Sequence, residues 1–463
     1  MTVHDIPEAR QSSYDIKAPY SGYCLGKLPS EDAEITHVGP DTPCGEYMRR
    51  FWQPVCLSKE LGQYPLAIRI MGEDLVAFRD KSGRVGVLHR HCTHRGTSLE
   101  YGLISKHGIR CCYHGWQFDV DGTIIDTPGE PSGSRIHLSL KQGAYPAHEH
   151  WGLVFAYMGP PEEKPDFPAF EDYGTPEEGI VPYSTWHPCN WLQCHDNFMD
   201  PVHAVFLHSR MTGDQLTPAW GKMPVVEWYE TGGGNGIIYV ATRRMDDQHV
   251  WNRINHVILP NYCEVGTAFE EGDEQKYFQR NTWNRWLVPV DDTHSWTFGW
   301  RHFRPGVDDG KGDPEACGRD SIDIGAHQHH GGRTYEERQR APGDWDAQTG
   351  QRPIAIHALE HPGWTDTGVM IWRRLLRRGI RGETPSATPE GIYGPPGRKV
   401  GSLAHDCIFK MPLRYGVDDN EAMRDMGRRV TDMVMAAEDL PHDEQQAMVI
   451  PRLEELQRQI FRE

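Results

Sequence analysis

Two short stretches of the chain carry side chains that bind metals. Cys92-Thr93-His94 is answered downstream by Cys111-Cys112-Tyr113-His114, a pattern Cys-x-His … Cys-x-x-His. Two thiolates with two imidazoles suit a zinc ion or an iron–sulfur cluster. Structural zinc pairs are normally separated by about two to four residues, so a Cys-x-His arm is unusual for zinc. Each arm here offers one soft and one imidazole donor, so each can reach both metals of a binuclear centre. Cys111 keeps the two-residue gap to His114 and Cys112 does not. Gly96, Gly108 and Gly115 supply the backbone freedom that tightly packed loops need.

A Rieske [2Fe–2S] centre holds one iron by two Cys and the other by two His, which these arms satisfy. CTHRGTSLEYG and CCYHGWQFDVDG resemble the Rieske domain of the Rieske non-haem iron oxygenases. The resemblance implies a cluster held by Cys92, His94, Cys111 and His114. Membrane-complex Rieske proteins are a poorer fit. They add a Cys pair that clamps the cluster loops, and Thr97 and Tyr113 stand where those Cys would be sought.

The second constellation runs from Asn197 through Asp200 and His203 to His208. Two His five apart point about 140° away from each other on an ideal helix. They share a metal only if the helix ends or widens between them, and π-bulges concentrate at functional sites. Alone, such a pair is more often ordinary surface or core. Following a Rieske domain, Asp200-x-x-His203-x-x-x-x-His208 is similar to the mononuclear iron motif of the same oxygenases. That family uses a facial triad of two His and one carboxylate with open positions. The resemblance implies His203 and His208 as iron ligands, and Asp200 as a carboxylate bridging a mononuclear-site His to a cluster His of a neighbouring subunit. It also implies Asn197 as a polar residue near the iron. The third ligand falls on Asp344 by similarity to phthalate-dioxygenase-like members, with Asp346 as the alternative. A local triad with Asp200 itself as third ligand is the other arrangement.

The elements that must position these residues follow from patterning. Short alternating runs such as LAIRIMGEDLVAFRD and RVGVLH, broken by Gly, Pro and Asp turns, predict β-hairpins. We read residues 1–44 as an N-terminal segment, 45–160 as a small all-β Rieske domain, and 161–463 as a catalytic mononuclear-iron domain with C-terminal helices. The whole is α+β. The second domain is an antiparallel sheet with helices packed on it, and the resemblance implies the helix-grip type. TGVMIWRRLLRRGI and the tail beginning NEAMRDM have helical apolar spacing. Residues 305–345 read as a long loop, with His327, His329 and His330 as a second metal site or, more simply, an inter-subunit or surface insertion. Arg373, Arg374, Arg377, Arg378 and Arg381 read as a solvated helix face or as a docking patch. GGGNG at 232–236 is a hairpin loop rather than a dinucleotide fingerprint, so electrons must come from a separate reductase.

Composition narrows the class. With 66 Asp plus Glu against 48 Lys plus Arg the net charge is −18, which argues against nucleic acid or an anionic membrane as the main partner. No apolar run approaches a bilayer span and no secretory leader is legible, so a cytoplasmic location is expected. The resemblance implies the terminal oxygenase component of a multi-component system, a homotrimer with a [2Fe–2S] cluster and mononuclear Fe(II). An NAD(P)H-dependent reductase or a ferredoxin would feed it. It would use O₂ for hydroxylation, dihydroxylation or oxidative O-demethylation of an aromatic, aryl-carboxylic substrate. The rival is a Rieske electron carrier whose second domain only binds partners. It would hold about two irons per chain instead of about three.

Overall fold

Short apolar runs separated by Gly and Asp turns fold as hairpins between residues 53 and 156. The computed structural model describes residues 16–462 apart from 212, 325–331, 396 and 402. His327, His329 and His330 therefore lie outside the described residues. Leu66–Ile70, Glu73–Arg79, Val85–His89 and Ala144–Tyr145 make one antiparallel sheet, and Gln53–Leu57, Leu153–Ala156 and Ala147–His150 a second. A third sheet of four two- or three-residue strands, between Leu103 and Asp126, encloses a small core of Val76, Phe78, Leu88, Leu99, Ile109 and Phe118. Met48 and Arg49, inside the stretch read as all-β, end a helix, Pro43–Arg49. The Thr42 hydroxyl accepts from the Gly45 amide at 3.2 Å and Pro43 opens the first turn. Thr followed by Pro is a helix-start signal.

The C-terminal half is built on a nine-stranded sheet. Its main path runs Ile180–His187, His294–His302, Trp283–Asp291, Tyr262–Val265, His249–Ile258, Gly236–Arg244 and Pro224–Thr231, each pair antiparallel. Strand His249–Ile258 changes partner along its length. Its first half pairs with His405–Lys410 and its last residues with Tyr262–Val265. The helix Thr367–Ile380 packs on the sheet through Trp372, Leu375, Leu376 and Gly379, the i, i+3, i+4, i+7 stripe its sequence predicts. Asp419–Met435 covers the neighbouring strands and His442–Arg462 lies against Lys276–Arg280. The α+β architecture expected from the sequence is the one observed.

The two halves share one core. Phe155 of the small sheet meets Trp286 edge-on at 5.4 Å and Trp300 at 6.0 Å. The Met71 and Gly72 amides donate to Pro289 and Val290 carbonyls, both at 2.8 Å, with Gly72 at φ +80°. The hairpin Leu66–Arg79 and the small sheet of Phe155 are thus bolted to strand Trp283–Asp291.

Two readings change. The basic run is only partly a solvated face: Arg374 and Arg381 are half exposed, but most of the run is paired with acids. Arg373 is buried against Asp196, at 2.6 Å, and Glu360; Arg377 pairs with Asp32 and Glu34; Arg381 with Glu34; Arg374 with Glu230. Buried guanidinium needs such counter-charges, and here they staple the N-terminal segment to the helix. The long loop also contains structure. Thr334 and Glu337 form a reciprocal cap that starts helix Tyr335–Arg340, and Ser321 bridges to Ser184 on the sheet edge.

Candidate metal centres

The two Cys–His arms form the same turn twice. The Gly96 amide donates to Cys92 O at 2.8 Å and the Cys92 amide to Thr97 O at 2.9 Å; Gly115 to Cys111 O at 3.1 Å and Cys111 to Trp116 O at 2.8 Å repeat the pattern. Each turn closes through a glycine at positive φ, +77° at Gly96 and +74° at Gly115, where a Cβ would be strained. The arms differ only in where the His sits on the turn. His94 and His114 nevertheless end together, ring centroids 4.6 Å apart at 80°. Trp116, buried, stacks on His94 at 4.5 Å and 8°. Cys92 and Cys111 are buried while Cys112 is exposed. Burial, with the Cys111 thiol beside it, pushes Cys92 up to about 11, so this thiol gives up its proton only to a bound cation.

A single zinc would draw all four donor atoms to within about 4 Å of one another. Among the described residues only His203, His208 and Asp344 have His, Cys, Asp or Glu donor atoms all within 4.8 Å of one another. The two thiols and the two imidazoles are therefore separate ends, which fits a binuclear cluster and not one ion.

The second centre is assembled by a chain of local devices. Asn190 caps helix Trp191–Asp196, which tightens through Asn197–Met199. Asp200 precedes Pro201 and is driven to extended backbone, φ −111° and ψ 95°. Its Oδ1 then accepts from the Val202 and His203 amides at 2.8 and 3.2 Å, starting the next turn. Arg243 donates to the Pro201 carbonyl from behind. After Val205 the helix widens to a π-turn, Phe206–Arg210, closed by Met211 N to Phe206 O at 2.9 Å. A bond spanning five residues makes five residues about one turn, so His203 and His208 meet on one side with centroids 5.5 Å apart.

Asp344, first residue of helix Asp344–Thr349, reaches into that pair. Its Oδ1 lies 3.4 Å from His203 Nε2 and its Oδ2 3.2 Å from His208 Nε2. Asn197 Nδ2 donates to Asp344 Oδ1 at 3.2 Å and lies 3.3 Å from His203 Nε2. Asp346 faces away, paired with Arg333 at 2.9 Å and Arg338 at 3.4 Å while accepting from the Gly343 amide. Asp200 does not join the triad as a third ligand atom. Its Oδ2 is 3.5 Å from the opposite nitrogen of the same ring, His203 Nδ1. Gln215, which no sequence signal singled out, holds His208 Nδ1 at 3.0 Å and donates to Pro342 O at 2.8 Å. Burial alone would raise the Asp344 carboxyl, but His208 and His203 outweigh it and hold it well below the usual range. The triad thus keeps its negative charge inside the protein, as a cation site must.

A cavity of about 880 Å³, mouth included, opens beside the triad and is lined by Phe198, Trp220, Tyr239, Trp283 and Leu287. Each centre therefore has the donors, the burial and the supporting hydrogen bonds of a metal site, and the second has room for an organic molecule.

Comparison with known proteins agrees with this geometry. Residues 51–143 match the Rieske [2Fe-2S] domain family and residues 187–316 the Vanillate O-demethylase oxygenase C-terminal domain. The tert-butanol monooxygenase / tert-amyl alcohol desaturase oxygenase subunit of Aquincola tertiaricarbonis is 44% identical, over 95% of this chain and 96% of its own. The phenoxybenzoate dioxygenase subunit alpha of Ectopseudomonas oleovorans is 36% identical over 82% and 92%. In fold, the caffeine-bound NdmA QL mutant of Pseudomonas putida CBB5 superposes with TM-score 0.54 at 19% identity, covering 75% of this chain and 96% of that one. With a cluster domain and an iron domain joined over nearly its full length to such relatives, the chain belongs to the Rieske non-haem iron oxygenases as a terminal oxygenase (alpha) subunit, with that family's [2Fe–2S] cluster and mononuclear iron.

Proposed function

We propose that the chain oxygenates an aromatic acid at an iron held by His203 Nε2, His208 Nε2 and the Asp344 carboxylate. In this reading Cys92 and Cys111 hold one iron of the cluster and His94 and His114 the other. When bound, the cluster supplies single electrons received from a separate reductase or ferredoxin, and the ferrous iron supplies O₂ activation. The observation that carries the assignment is the meeting of two histidines five apart with one distant carboxylate, all donor atoms within 4.8 Å.

The remaining residues orient that triad. Gln215 accepts from His208 Nδ1 and Asp200 faces His203 Nδ1, so both rings present Nε2 to the metal. The Asn197 amide fixes the Asp344 carboxylate. The Asp200 side chain is 28% exposed, so it stays open to a second imidazole, which the expected homotrimer would supply from a neighbouring copy. Trp220 and Trp283 close the cavity wall and exclude water. Among the described residues no helix is long and apolar enough to cross a membrane, and a cytoplasmic location accords with that.

The test is turnover with a reductase and NADH against a panel of aromatic acids and aryl methyl ethers, with iron counted per chain. Oxygenated product and about three irons are expected. About two irons and no product would leave an electron carrier. A second reading rests on the 44%-identical relative, whose name specifies tertiary alcohols. The panel therefore includes tert-butanol and tert-amyl alcohol.

A further inference from the structure

We propose that Arg285 and Tyr183 form the subsite that binds the carboxylate of the substrate. This rests on the aromatic-acid reading above and gives it a named anchor.

The strand register places the two residues in one row. Tyr183 stands opposite Gly299, and Gly299 opposite Arg285, on three adjacent antiparallel strands. Directly paired positions share a face of the sheet. Gly299 leaves the space between them empty. A Cβ there would sit 2.8 Å from both Cζ and Oη of Tyr183, so the phenol lies across the glycine, towards the strand of Arg285. Both side chains line the cavity that holds His203, His208 and Asp344.

Arg285 is 8% exposed and Tyr183 0%. Neither Arg285 Nε nor Tyr183 Oη has a hydrogen-bond partner, and no carboxylate pairs with Arg285 among the described residues. Its guanidinium lies over the Phe198 ring at 4.9 Å. Other buried arginines are answered. Arg253, on the same cavity, is held by Asp406 and Thr267 O, and Arg301 and Arg304 by Asp323 and Asp308; Arg243 also lacks a carboxylate among the described residues, but it donates to two backbone carbonyls and does not line the cavity.

A buried cation without a counter-charge is costly, and a fold keeps one where a ligand supplies the anion. The planar guanidinium fork matches a carboxylate, and a phenol hydroxyl can donate to the same group. A neutral tertiary alcohol offers no charge to answer it. Position also fits. Phe198, beneath the guanidinium, follows Asn197, whose amide touches Asp344, so two consecutive residues join the subsite to the metal triad.

The experiment measures ligand affinity by calorimetry on the iron-loaded holoenzyme. Benzoate and 3-phenoxybenzoate are compared with benzamide and tert-amyl alcohol, for wild type, Arg285→Gln and Tyr183→Phe. Wild type should prefer the carboxylates. Arg285→Gln should weaken them about 30- to 100-fold and Tyr183→Phe about tenfold, with benzamide within about threefold in both. Cluster absorbance and iron content should stay at wild-type values. A merely structural Arg285 would lower Tm when replaced, whereas Arg285→Gln should leave the ligand-free Tm equal or higher, because an unanswered charge is removed. Equal wild-type affinity for benzoate and benzamide, or an unchanged benzoate Kd in Arg285→Gln, overturns the proposal. Oxygenation of tert-amyl alcohol alone would sink the aromatic-acid reading as well. Loss of iron on replacing Asp344 is read separately and tests only the triad.

Discussion

The cluster site and the iron site use similar side chains but are built at different range. All four proposed cluster donors lie between Cys92 and His114, on two turns with matching backbone hydrogen bonds. The proposed iron site takes two histidines from one segment and its carboxylate from Asp344 on a remote helix. A site made of turns depends on a few local residues and on glycines at positive φ. A site made by tertiary packing also depends on whatever holds its distant parts in place. Substitutions should therefore separate the two.

The largest effect is expected from Cys111→Ser, which removes one of the two thiolates on one cluster iron. Visible cluster absorbance should vanish and iron should fall from about three per chain to about one, while Cys112→Ser keeps the spectrum. If Cys112→Ser bleached the protein and Cys111→Ser did not, the register of that turn would be wrong.

Asp344→Ala should produce the converse: about two irons per chain, an intact cluster spectrum and no product. Asp346→Ala should keep the third iron and lose about 3 kcal/mol of stability, because it removes the carboxylate that pairs with Arg333, only 11% exposed. Iron analysis of the two variants side by side decides between them.

Asp200→Asn tests whether the two sites communicate. The amide keeps the shape but loses the charge facing His203 Nδ1. Iron content and reduction of the cluster by its donor should remain near wild type while product formation collapses. Near-normal turnover would remove Asp200 from the mechanism.

Arg373→Met probes the remote supports of the iron site. Asp196, one residue before Asn197, would lose its buried partner, and Glu360 would lose its own. A stability loss of about 3 kcal/mol is expected, with the mononuclear iron more easily stripped by chelator and the cluster unaffected. Equal sensitivity of both sites in a chelator titration would erase the distinction drawn above.

The smallest effect should be Gln215→Leu. Without its acceptor His208 keeps its place but loses orientation, and iron affinity should drop about tenfold. Competition with a fluorescent chelator reads this directly.

Much of this was legible in the chain. The Cys-x-His and Cys-x-x-His arms with their following glycines specify two turns outright, because each turn closes on its own backbone within six residues. The five-residue gap between His203 and His208 demanded a widened helix, and the π-turn at Phe206–Arg210 supplies it. The helix over Thr367–Ile380 followed from its apolar stripe. Spacing alone could not decide between Asp344 and Asp346. Both sit in the first turn of one helix, and what separates them is that Arg333 and Arg338 lie on one side and the imidazoles on the other. The arginine run likewise looked solvated because its acidic partners, Asp32, Glu34, Asp196 and Glu360, are scattered along the chain. Arg285 reads in sequence as one polar residue in a strand. Only the pairing of strands brings it beside Tyr183 across Gly299 and into the cavity without a counter-charge. Local hydrogen-bond geometry is written in neighbouring residues, whereas the partner of a buried charge is chosen by which distant surfaces the fold presses together.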